Sequence, residues 1–246
     1  MYKERKYREY MGKHFDHFLI SEQESDIWIG FPADSVDSEL IKDLKYHLVT
    51  QRSILRAYLE KHPVFESALR PYHNDPKAPE FISKMIQAGQ AAQVGPMAAV
   101  AGAFCFVLAN FLKELDIKTF IIENGGDLLV TGFPEVTIGV YAGEQSSFSN
   151  NLAIKIDTNM KTYGICSSSG MFGHSFSYGQ ADLVTVISED IFTADAYATA
   201  MANQITNAAD IDRVIKMTEK ATNISGALMI KDETMGVFGN MELIEI

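Results

Sequence analysis

The alternation of apolar and polar residues along this chain changes period several times, and each change marks an element. FDHFLI (15–20) and IWIG (27–30) are apolar-rich runs joined by polar SEQES, the pattern of a hairpin. A helix capped by Asp34 or Ser35 runs to about Lys61, because Ile41, Leu44, Leu48, Leu55 and Leu59 recur at helical spacing and Pro63 ends the run. HNDPKAP (73–79) reads as a long loop between helices. Gly95 and Pro96 then open an apolar helix whose first turns are almost all small: Ala98, Ala99, Ala101, Gly102 and Ala103. In KTFIIENGGDLLVTGF two apolar strands flank Asn124-Gly125-Gly126, residues that tolerate the positive φ of a two-residue hairpin turn. VTIGVYAG (136–143) and NLAIKID (151–157) extend the same antiparallel sheet. A strand around Leu183, Val184, Val186 and Ile187 leads into a small-residue helix carrying Asp195 and Thr199. After an amphipathic helix at 208–220, the chain closes as a meander of GALMI, MGVFGN and MELIEI. Helices inserted among antiparallel strands, without alternating βαβ units, predict an α+β fold.

Composition narrows the function classes. At 47% hydrophobic and 22% charged, the 246 residues read as an ordinary soluble globular chain. A formal charge of −11 argues against nucleic acid or an anionic membrane as partner, since both need clustered Lys and Arg. The basic, aromatic run YKERKYREY (2–10) is interleaved with Glu4 and Glu9 and reads as a solvated edge strand. Cys105 and Cys166 make neither a disulfide framework nor a zinc site, and Cys105, within the apolar helix, reads as a small core residue. There is no apolar leader or lipid-attachment cysteine, and the apolar run 97–112 is interrupted by Asn110 short of a membrane span. A cytoplasmic chain without a membrane segment is expected.

Four places carry candidate chemistry. The helix opening at Gly95 offers N–H groups to an anion such as phosphate, although the same small residues suit a helix packed tightly on a sheet. Glu123 and Asp127 set two carboxylates around the Gly125-Gly126 turn. Ser167-Ser168-Ser169-Gly170 offers hydroxyls and N–H groups at a strand end, an anion nest, with His174 nearby as a proton carrier or phosphate contact. Asp195 and Thr199 share a helix face at i, i+4, and Asn203 continues the stripe, so carboxylate and hydroxyl can serve a hard cation together with water and phosphate oxygens. The alternative is that Asp195 sits in a first turn behind Thr193 as N-cap and complements the helix dipole.

In order, VGPMAAVAGA, NGGD with Gly132 five residues on, SSSGMFGHS, GQAD and ADAYATAMAN resemble the ApbE family of Mg²⁺-dependent FAD:protein FMN transferases, and most of all its shorter branch. The likeness runs from about Gly89 to Asn203, with ISGALMIKDETMGVFGN resembling the family's closing hairpin. It implies an α+β, T-fold-like domain over 1–246, Mg²⁺ on Asp195 and Thr199, and a flavin nucleotide at Gly125, Gly126, Asp127, Ser168, Ser169 and Gly170. It also implies FAD as FMN donor, a separate acceptor protein and association into a homodimer. Two departures stand out. Ala101 and Phe106 occupy the positions of the family's lysine and a following acidic residue, and the compact GHSFSYGQAD, with His174, replaces a longer His-x-Ile-Asp-Pro loop. A flavin-binding module without transfer, or an enzyme acting on another phosphorylated or heteroaromatic molecule, are therefore the alternatives.

Overall fold

A computed structural model describes residue 8 and residues 15–32, 37–170, 179–221, 223–239 and 241–246. Eight strands form one antiparallel sheet in the order β1-β2-β3-β4-β7-β8-β9-β10, comprising β1 (Asp16–Glu22), β2 (Ser25–Phe31), β3 (Phe120–Asn124), β4 (Asp127–Thr131), β7 (Tyr163–Ser168), β8 (Leu183–Ser188), β9 (Gly226–Lys231) and β10 (Thr234–Gly239). β5 (Glu135–Gly139), β6 (Leu152–Asp157) and β11 (Glu242–Glu245) form a separate three-stranded sheet, ordered β11-β6-β5. The α+β class holds.

Successive side chains of a strand point to opposite faces, and here both faces are buried. Ile27, Ile29, Phe120, Ile122, Leu129, Val184, Val186, Ala227 and Met229 join the helices in one core. Their neighbours Trp28, Ile121, Val130, Leu183, Ile187, Leu228 and Ile230 join Val136, Ile154 and Ile156 of the small sheet in a second. Burial on two faces is why these strands read as continuous apolar runs instead of alternating ones.

The helical layer contains α1 (Ser38–Lys61), α2 (Pro63–Ser67), α3 (Glu80–Ala92), a 3₁₀ turn at Pro96–Ala99, α4 (Val100–Glu114), α5 (Ile191–Ala202) and α6 (Ile211–Thr218). α1 is capped by Asp37, whose side chain accepts from the Leu40 N–H at 2.7 Å; the expected caps Asp34 and Ser35 lie outside the described residues.

Three expectations are corrected. β5 and β6 leave the main sheet, because the chain turns after β4 at Gly132 (φ +78), where a Cβ would sit 2.3 Å from the Lys118 carbonyl oxygen. β11 leaves the closing meander to pair with β6. Alternation shows that a strand has one apolar side but not which sheet it joins. Third, the 3₁₀ turn and α4 run on as one 19-residue stretch, Pro96–Glu114, long and apolar enough to cross a membrane by length and composition. Its apolarity goes into packing, with Ala103, Leu108 and Leu112 buried in the helical core.

Candidate functional site

The elements that carry the sequence candidates meet at one end of the large sheet. Gly125 (φ +73) and Gly126 (φ +103) form the two-residue turn closed by the Asn124–Asp127 pair, with the left-handed backbone that glycine favours. The turn is tied down on both faces of the sheet. Toward the helices, Asn124 Nδ2 donates to the Ala101 carbonyl oxygen at 3.1 Å and the Cys105 thiol approaches the Asp127 carbonyl oxygen at 3.6 Å. From the other face, Glu123 Oε1 accepts from the Gly126 N–H at 2.8 Å, while Arg8 Nε donates to Glu123 Oε2 at 2.6 Å. Asp127 Oδ1 accepts from the Ser167 N–H of β7 at 3.1 Å, joining the turn to the serine run.

Asp190 caps α5, its carboxylate accepting from the Thr193 N–H at 3.2 Å and the Thr193 hydroxyl at 2.7 Å. The helix therefore begins at Ile191, and Asp195 falls in its second turn. This corrects the alternative in which Asp195 lay in a first turn behind a Thr193 cap, and a dipole role no longer accounts for it.

Asp195 is 7% exposed. Its Oδ2 accepts from the Gly102 N–H at 2.8 Å, in the first turn of α4. The Gly102 N–H at this helix start is thus taken by a side chain of the protein itself. Gly102 permits the contact, since a Cβ there would sit 3.1 Å from Oδ2. Burial, and then the charge of Asp127, push the Asp195 carboxyl well above the usual carboxylate range, with the Gly102 N–H acting in the opposite direction. Cys105 and Cys166 are buried beside these carboxylates, and burial first, then Asp127, pushes both thiols up, which disfavours the thiolate and any nucleophilic role.

Thr199, one turn after Asp195, is half-buried. Asn203 ends the helix, its N–H donating to the Thr199 carbonyl oxygen at 3.0 Å. Ser168 closes β7. Beyond it the Ser169 hydroxyl reaches the Ala181 carbonyl oxygen at 3.4 Å, and the Gly170 N–H donates to the same oxygen at 2.9 Å. One N–H of the expected nest is therefore already taken. Gly95 is buried where the chain passes Ala68, whose carbonyl oxygen would lie 1.6 Å from a Cβ at that position, so close backbone packing accounts for this glycine. His174 lies outside the described residues.

Sequence reasoning missed Gly102 as the partner of Asp195, and Arg8. Of the basic N-terminal run only Arg8 is described, and it is buried, which corrects the solvated reading at that position. No periodicity marks it, because its partners, Asp26 and Glu123, are distant in sequence.

A family model described as AbpE bacteria matches residues 8–230. The chain belongs to that family. A UPF0280 protein of Methanococcus maripaludis is 40% identical to this AbpE family member over 207 residues, covering 82% of this chain and 83% of the relative. One from Methanosarcina acetivorans is 31% identical over 230 residues, covering 93% and 88%. The fold of this family member is like that of the Flavin Transferase ApbE from Vibrio cholerae, with a TM-score of 0.51 at 15% identity over 91% of this chain and 96% of that one. The apo flavinyl transferase ApbE of Pseudomonas stutzeri has a TM-score of 0.51 at 12% identity, covering 91% and 94%. The family resemblance and the fold class expected from the motifs both hold.

Asp195 and Thr199 offer a cation one carboxylate and one hydroxyl, one turn apart. Among the described residues no three His, Cys, Asp or Glu side chains converge as a metal cage. Such a donor set suits an ion that keeps water and ligand oxygens, as Mg²⁺ does, and does not suit zinc.

Proposed function

We propose that this protein binds FAD in a Mg²⁺-dependent manner between the 124–127 turn and α5, and transfers its FMN half to a hydroxyl of an acceptor protein. The observation that carries this reading is Asp195, a carboxyl group buried in the second turn of α5 and held by the Gly102 N–H at 2.8 Å, which burial and then the charge of Asp127 push toward its neutral form. Family membership and the likeness to proteins titled flavin transferases support the choice of ligand. Mg²⁺, when bound, would offset the negative charge of the pyrophosphate. Asp195 and Thr199 would hold the ion, and the Gly102 N–H keeps the carboxylate aimed. Gly125 and Gly126 would let the nucleotide approach the turn backbone closely, and Ser168 and Ser169, at the end of β7, are the proposed hydroxyl contacts. In the transfer, the acceptor oxygen bonds to the phosphorus on the FMN side, the pyrophosphate P–O bond breaks, and AMP leaves. The acceptor proton passes to a base, for which His174 is the proposed group.

A second reading, FAD binding without transfer, is favoured by Ala101. It stands where the resemblance expects a lysine, and its carbonyl oxygen is occupied by Asn124. Incubation with FAD, Mg²⁺ and candidate acceptor proteins, followed by detection of AMP and protein-bound FMN, separates the two. Transfer predicts AMP release that falls at least about 100-fold in Asp195→Ala. Tight FAD binding with no AMP supports the second reading, and equal release by wild type and Asp195→Ala removes Asp195 from the mechanism.

A further inference from the structure

Glu123 is fully buried, and its two carboxylate oxygens face different ways. Oε2 takes Arg8, with Nε at 2.6 Å and Nη2 at 2.5 Å, and Oε1 takes the Gly126 N–H at 2.8 Å. The Arg8 guanidinium is anchored in turn on β2, with Nη1 at 3.0 Å from Asp26 Oδ2 and Nη2 at 2.7 Å from the Asp26 carbonyl oxygen. β2 pairs with β3, and Gly126 is one residue before Asp127 in the turn. Oε2 is held by two N–H groups of one guanidinium, which a single ammonium does not offer in fixed geometry. Holding Oε2 restricts where Oε1 can meet the Gly126 N–H, and so the orientation of a turn whose φ values few conformations share.

We infer that Arg8 is a positioning residue for the 124–127 turn. It acts through Glu123 and Gly126, so Arg8 supports the turn from 115 positions before Glu123. The consequence for ligand binding rests on the flavin reading above; the coupling of Arg8 to the turn does not.

Two measurements on the full-length protein test it. With [¹⁵N]glycine labelling, Arg8→Met should shift the Gly126 amide resonance and speed its hydrogen exchange by about tenfold or more relative to wild type. In the same variant the FAD dissociation constant should rise about tenfold, the size expected when a ligand-contacting turn is misplaced, with partial rescue in Arg8→Lys. Leu48→Ala, which opens the core at a fully buried position of α1, is the control for general destabilisation. If Arg8→Met lowers the melting temperature but moves Gly126 exchange and FAD affinity no more than Leu48→Ala does, Arg8 is only structural and the inference fails. Should Arg8→Met not fold, Glu123→Gln keeps the side-chain shape and reads the same relay, and Gly126 exchange at the wild-type rate would overturn it. Should wild type bind no FAD, the flavin reading falls alone, and Gly126 exchange in Arg8→Met still decides the coupling.

Discussion

Glu123 and Asp195 lie near the same turn, on opposite faces of the large sheet, and the two carboxylates are treated in opposite ways. Glu123, 0% exposed, has a guanidinium on one oxygen and a backbone N–H on the other. Asp195, 7% exposed, has one backbone N–H and faces Asp127, and among the described residues no Lys or Arg forms an ion pair with it. The first arrangement is that of a structural charge, neutralised within the fold. In the second a carboxyl group is buried with no Lys or Arg paired to it among the described residues, so burial pushes it toward its neutral form, a shift often found at functional sites. The contrast separates a carboxylate tied into the turn from the one to which the proposed function assigns a cation.

The comparison breaks most readily at Arg8. Arg8→Met removes the guanidinium from a buried carboxylate and should lower unfolding free energy by about 3–5 kcal/mol, read as a drop in the urea midpoint. A loss within the range of ordinary surface substitutions would show that Glu123 is not held as described. Gly102→Ala comes next. The added methyl would lie 3.1 Å from Asp195 Oδ2 and from the Ile191 side chain, so Asp195 must move. Mg²⁺-dependent FAD affinity should fall about tenfold with little change in melting temperature, because alanine is also the better helix former. Unchanged affinity would mean that the aim of Asp195 does not matter.

Opposite in sign to Arg8→Met, and smaller, is the effect of Asp195→Asn on stability. The folded pKa of Asp195 is raised above the unfolded value of about 3.9. Between those two values the folded chain keeps a proton that the unfolded chain has lost, so stability falls as pH rises through that window, and the full cost is present above the folded pKa. Asparagine cannot ionise and still accepts from the Gly102 N–H. Asp195→Asn should therefore be about 1 kcal/mol more stable than wild type at pH 7, with the difference vanishing near pH 4, while Mg²⁺-dependent FAD binding is lost. Equal stability at both pH values would show that Asp195 carries no strain.

Much of the candidate site was legible in one dimension because its described parts are local. Asn124-Gly125-Gly126-Asp127 is a turn written in residues that accept positive φ, and Asp195 with Thr199 is a helix-face pair one turn apart. The helix start at Gly95 and Pro96 was read at the right place, and of the two readings offered for its small residues close packing is seen at Gly95, against Ala68. The partner of Gly102, a carboxyl group 93 positions away, was not legible.

The sequence by itself determined the elements, the hairpin turns, the α+β class and the family, because these depend on periodicity, glycine and proline chemistry and ordered motifs. Only the tertiary structure decided that β5, β6 and β11 form a second sheet, since an alternating strand declares a buried side without naming what covers it. Only the tertiary structure joined Arg8 to Glu123 and Asp195 to Gly102, because the electrostatic state of a buried carboxylate is set by what packs against it from elsewhere in the chain.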